Sequence, residues 1–194
     1  MKILIAKEPL RRILRWIQAA FLAIGVSLLA YCGYVHWDSW SFQKAERRQF
    51  EQLLPAAHPA VFPASGGLIG RLDIPRLGLS VMVIEGSSQS TLRRAAGHIS
   101  GTGLPGQGRN IGISAHRDTF FRPLRNIQKG DIITVTTLDR LYRYRVVSTR
   151  IVSPSDVAVL DSGENEILTL VTCYPFYFVG AAPDRFIVRA ERVT

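Results

Sequence analysis

The chain has 194 residues, 47% of them apolar, which excludes a disordered chain and leaves room for one domain with an appendage. Its two cysteines, Cys32 and Cys173, are too few for a disulfide scaffold or a cysteine-built zinc site. The formal net charge of +9 suits an anionic neighbourhood such as a membrane or cell-wall surface, but the basic residues are dispersed and no nucleic-acid motif accompanies them, so no nucleic-acid partner is expected.

Residues 1–15 form a basic segment, with Lys2, Lys7, Arg11, Arg12 and Arg15 against Glu8. From Ile17 to Val35 no charge interrupts the sequence. A helix over those residues is roughly 28 Å long, close to the thickness of a bilayer's hydrocarbon core. Trp16, Tyr31, Tyr34 and Trp37 lie near its ends, as interfacial aromatics do. The span therefore reads as a transmembrane anchor over residues 16–37, with the basic segment cytoplasmic and the remainder exported. A cleaved signal peptide is the rival reading, but its apolar stretch would be shorter and end in small residues, not in aromatics and His36.

Residues 38–54 suit a polar juxtamembrane helix, with Trp40, Ala45 and Phe50 making only a thin apolar stripe. The segment PAAHPAVFPASGG, residues 55–67, reads as a linker, so 38–66 is expected to join the anchor to an exported domain over 67–194. There the pattern becomes short strands at 68–74, 79–84, 110–115, 131–138, 140–152, 166–173 and 185–193. Residues 87–98 look helical, with serines to cap them, and 118–124 suit a short helix or turn. The fold class is mostly β, a barrel or sandwich of largely antiparallel strands with short helices.

Three residues carry chemistry. Cys173 ends the apolar run ILTLV, and Pro175 stops the strand just beyond it, so the thiol sits where a cleft can open. The bland alternative is an inert buried cysteine. His116 ends the strand NIGISA; the bland alternative is a histidine satisfied by Asp118, and His98 is a rival for its role. Arg185 opens the last strand and shares a face with Ile187 and Arg189, the latter a rival guanidinium. A thiol nucleophile, an imidazole acid/base and a guanidinium facing a developing oxyanion make a workable acyl-transfer set.

TLVTC (169–173), followed twelve residues later by Arg185, together with NIGISAH (110–116) behind GTGLPGQG (101–108), resembles the sortase family. The segment 169–190 is most similar to its class D branch. The resemblance implies an eight-stranded β-barrel, a thioester on Cys173, and His116 and Arg185 as the other catalytic residues. It implies a protein substrate with a C-terminal LPxTG-like sorting signal, and an amine acceptor on a peptidoglycan precursor or a pilin lysine. It also implies oxyanion support from Thr172 and a substrate groove touching Ser114, Ala115, Ser153, Val157 and Val171. No cofactor is expected and no metal, since the acidic residues are scattered. Linker 55–67 lacks an aspartate to block the cysteine, which favours wall anchoring over pilus assembly. Two other readings stay open: a peptidase that hydrolyses the thioester, and a non-catalytic membrane-tethered binding domain. An L,D-transpeptidase is discounted, because Val171 and Thr172 stand where that family has His and Gly.

Overall fold

The computed structural model describes residues 7–53, 67–163, 165–178 and 180–193. It divides into two compact units, Met1–Trp40 and Ser41–Thr194. The first element is one helix, α1 (Lys7–Leu53), so the expected change from anchor to juxtamembrane helix at residue 38 is not a break. The physical reason is plain in the sequence: no Gly or Pro interrupts residues 34–54, and Pro55 supplies the stop. The part of α1 in the first unit is long and apolar enough to cross a membrane, and its large side chains are exposed, Trp16, Phe21 and Leu29 most of all. The expected linker falls almost wholly at 54–66, outside the described residues.

The last turns of α1, residues 41–53, belong to the second unit. Phe50 is fully buried there, although it is not part of the barrel's inner cluster. Gln43 accepts the Met82 N–H at 3.0 Å and donates to the Arg94 carbonyl at 2.7 Å. Arg47 donates to Ser80 Oγ at 2.9 Å, and Glu51 lies 3.8 Å from Arg71. Replacing Phe50 with Ala removes a fully buried ring, and the expected cost is about 3–5 kcal/mol of stability. Urea unfolding followed by far-ultraviolet circular dichroism of the barrel strands checks it. A loss below 1 kcal/mol would show that the helix end contributes little.

Eight strands close a barrel in the order β1-β2-β3-β4-β7-β8-β6-β5, returning to β1. They are β1 (Leu68–Ile74), β2 (Leu79–Glu85), β3 (Ala96–His98), β4 (Asn110–Ser114), β5 (Ile132–Thr137), β6 (Leu141–Val152), β7 (Ile167–Tyr174) and β8 (Asp184–Val193). Pairs β2–β3 and β4–β7 are parallel, and the rest are antiparallel. Alternation along each strand sends one set of side chains inward, including Leu72, Val83, Ile113, Val135, Tyr144, Leu170 and Val188. Phe121 and Leu124, from the segment after β4, pack against the same cluster.

One expectation fails. Residues 87–98 are not a single helix: α2 covers only Gln89–Arg94, capped by Ser88, and Ala96–His98 is the third strand. Ala95 and Ala96 favour a helix in isolation. Here Ala96 pairs with Val83 of β2 and is buried in the barrel, so tertiary pairing overrides propensity. Gly97 permits the close approach: a Cβ there would stand 2.3 Å from the Gly86 carbonyl oxygen.

Candidate active site

Strand β7 alternates cleanly. Leu168 and Leu170 join the inner cluster, so Thr169, Val171 and Cys173 face outward. Its neighbour β8 pairs Cys173 directly with Arg185 and Thr169 with Arg189. Directly opposed residues share a face with their Cβ atoms about 5 Å apart, so Arg185 and not Arg189 is the cross-strand neighbour of the thiol. On the other side β7 lies parallel to β4, with Ser114 beside Val171 and the Ala115 N–H donating to the Val171 carbonyl at 3.3 Å. The paired register ends at Ser114, and His116 follows two residues on, just past the strand end. Cys173 and Arg185 are thus paired across β7 and β8, and the strand that leads to His116 ends on the other side of β7.

Cys173 and His116 are both half-buried, and Cys173 is a free thiol. Among the described residues neither the imidazole of His116 nor the Cys173 sulfur has a hydrogen-bond partner. Asp118 is exposed and does not satisfy His116, so that bland alternative is unsupported. The rival His98 is occupied. It is buried, with Nδ1 2.6 Å from Glu85 Oε2 and Nε2 2.9 Å from the Gly103 carbonyl and 3.0 Å from the Thr102 hydroxyl. His36 lies on α1, in the first unit, and His58 lies outside the described residues. Arg185 is half-buried, and its Nη1 donates to the carbonyls of Asp184 at 3.0 Å and Ala182 at 3.4 Å. Beside the cysteine, Tyr174, Phe176 and Phe186 form an aromatic cluster with ring centroids 5.3–6.4 Å apart.

Two of the expected site residues are placed differently. Thr172 faces inward, 2% exposed, and donates its only hydroxyl proton to the Ala115 carbonyl at 2.7 Å. It therefore has no proton left for an oxyanion. Its bond instead fastens the cysteine strand to the residue before His116. Ala115 is buried in the inner cluster, so it lines the core and not a groove. The remaining expectations face out: Ser114 and Val171 are half-buried beside Cys173, while Ser153 and Val157 are exposed on the β6–β7 connection.

That connection is anchored at the far end of β4. Asn110 Nδ2 donates to the carbonyls of Val159 and Asp161, both at 3.1 Å, and Asn110 Oδ1 accepts from Thr169 Oγ1 at 2.7 Å. Leu160 and Ile99 sit over Gly112, where any Cβ would crowd them at 3.1–3.2 Å. Sequence reading passed over Arg117. Its Nη2 donates to the carbonyls of Phe178 at 2.7 Å and Gly180 at 3.0 Å, contacts that span some sixty residues.

The sortase domain family model matches residues 72–193. Sortase D of Bacillus subtilis is 35% identical over 133 residues, covering 68% of this chain and 67% of that protein. Sortase SrtE1 of Streptomyces coelicolor is 32% identical over 186 residues, covering 83% of this chain and 53% of its own length. Among solved structures, a Clostridium perfringens sortase D5 transpeptidase superposes with a TM-score of 0.63 at 29% identity. That superposition covers 76% of this chain and 89% of the other. The family match spans the barrel from β1 to β8, cysteine strand included, and the chain belongs to the sortase family of cysteine transpeptidases.

Proposed function

We propose that Cys173, His116 and Arg185 are the catalytic residues, and that they cleave an LPxTG-like sorting signal and transfer its acyl part to an amine. The observation that carries this is the pairing of Cys173 with Arg185 across β7 and β8, with the histidine strand end on the other side of β7. The Cys173 thiolate attacks the scissile carbonyl, and the oxygen gains negative charge. The Arg185 guanidinium stands on the same face to receive that charge. As the C–N bond breaks, protonated His116 gives its proton to the departing amine, leaving a thioester on Cys173. The neutral imidazole then takes a proton from the incoming amine, which attacks the thioester and frees the thiolate.

The substrate protein carries its signal near the C-terminus, and the acceptor is a primary amine of the cell wall or a pilin lysine. Half-buried Ser114 and Val171 form the groove floor next to the thiol, and Ser153 and Val157 its rim. The N-terminal part of α1 crosses the cytoplasmic membrane once. Arg11, Arg12 and Arg15 keep its start inside, and the barrel lies on the outer side.

The test uses the full chain in detergent, a panel of LPxTx peptides and a small primary amine, read by intact mass. A peptide acyl adduct on the wild type, absent in Cys173→Ala, and an amine-linked product are expected. An adduct persisting in Cys173→Ala would move the nucleophile elsewhere. Absence of any adduct across the panel, with the thiol still open to alkylation, would favour the non-catalytic binding domain.

A further inference from the structure

The connection from β7 to β8 begins just after Cys173 and ends just before Arg185, and the segment after His116 grips it from one side. Arg117 follows His116 directly. Its Nη2 holds the Phe178 and Gly180 carbonyls at 2.7 and 3.0 Å, and its guanidinium lies 5.8 Å from the Phe178 ring centroid. Arg125, in the short 3-10 helix Arg122–Asn126, lies 5.5 Å from the Tyr177 ring centroid. Further along the same loop, the Ala182 carbonyl accepts from Arg185 Nη1. A chain of contacts therefore runs from the histidine turn, through Arg117 and the loop, to the guanidinium opposite the thiol.

A second observation separates this arginine from an ordinary stabilising one. Among the described residues Arg117 Nη1 is buried with no hydrogen-bond partner. A half-buried arginine with one buried donor unmet is an expensive way to hold a surface loop. Phe178 and Gly180 are exposed, so water can satisfy their carbonyls if the arginine is removed. Stability alone does not account for the residue.

We propose that Arg117 is a positioning residue for transpeptidation: it clamps the β7–β8 loop to the histidine turn and so fixes Arg185 over Cys173. The inference rests on the reading of Cys173, His116 and Arg185 as the catalytic set. Arg117 touches no reacting atom. Its effect passes through the placement of Arg185, where a displacement of about 1 Å is enough to cost about 100-fold in rate.

The experiment measures single-turnover acyl-adduct formation by intact mass, with the full chain in detergent. The proteins are wild type, Arg117→Met, Arg117→Lys, Arg185→Lys and the Arg117→Met/Arg185→Lys pair. Arg117→Met is expected to acylate about 100-fold more slowly with its melting temperature unchanged or raised. Arg117→Lys, which keeps one donor within reach of the loop, is expected to recover part of the rate. In the Arg185→Lys background, Arg117→Met is expected to add little, because both changes act through one group. Full multiplication of the two effects would overturn the clamp, as would a wild-type rate in Arg117→Met. A slow Arg117→Met that also melts early, with no recovery in Arg117→Lys, would reduce Arg117 to a structural residue and overturn it too. An unchanged rate in Arg185→Lys alone would instead sink the catalytic assignment on which the clamp rests.

Discussion

Arg185→Ala is expected to slow acylation by about 100- to 1,000-fold while leaving the melting temperature near that of the wild type. The magnitude is that of removing one strong donor from an oxyanion site. The guanidinium is half-buried at a strand end, and its present partners are two carbonyls, Ala182 and Asp184, on the loop side. Losing it leaves no buried carboxylate unpaired, so the fold should not suffer. Arg185→Lys is expected to recover only a small part of the rate. An ammonium cannot bond loop carbonyls and a developing oxyanion with the planar fork of a guanidinium. Arg189→Ala is the control. It lies on the same face, but it pairs with Thr169 four residues from the thiol, so its loss should change acylation by less than about threefold. Single-turnover mass measurements on the three variants check the set. Equal losses for Arg185→Ala and Arg189→Ala would mean that general positive charge, and not the cross-strand pair, supports the reaction.

The contrast between these two arginines shows what the sequence made legible. Alternation in RFIVRA puts Arg185, Ile187 and Arg189 on one face, but nothing in one strand tells which residue meets the cysteine. Register across a hairpin with a long loop is a tertiary property, and the β7–β8 pairing supplies it. The same period of two also separates Ala115 and Thr172 from the outer face. Each is one residue from an outward-facing neighbour, Ser114 or Cys173, and so points into the barrel. Strand β3 was hidden because three residues carry no periodicity, and its alanines read as a continuation of α2. The packing of Phe50 was visible only as an isolated apolar residue among charges. Strands β1, β2 and β4 to β8 stood out because each has an apolar alternation bounded by Gly, Pro or Asp turns.

A second stability effect, one that depends on pH, is expected at Glu166, which lies just before the cysteine strand and is 9% exposed. One of its oxygens accepts from Tyr144 at 2.7 Å and Arg192 at 2.9 Å. The other accepts the Gly106 and Gly108 N–H groups, both at 3.0 Å. One carboxylate thus ties a buried barrel tyrosine, strand β8 and the glycine-rich loop before the histidine strand. Glu166→Ala leaves the buried Tyr144 hydroxyl without its acceptor, while the exposed Gly106, Gly108 and Arg192 donors turn to water, and the expected cost is about 1–3 kcal/mol. Glu166→Gln keeps the shape and an acceptor oxygen, and is expected to cost less. The pH dependence follows from the same contacts. Burial pushes the Glu166 carboxyl up, but the bonds from Tyr144, Gly108, Arg192 and Gly106 outweigh it and hold the group below its ordinary 4.5. Asp131 is likewise held low, chiefly by its bond from Arg76, against the opposing effect of burial. A carboxyl depressed on folding stabilises fully above its unfolded value and loses that contribution as the pH falls through the folded one. Urea midpoints measured from neutral pH down through 4 should therefore fall below about pH 4.5 in the wild type. The fall should be shallower in Glu166→Gln, where this carboxyl no longer titrates. Parallel curves for the two proteins would show that the loop is held without help from the Glu166 charge.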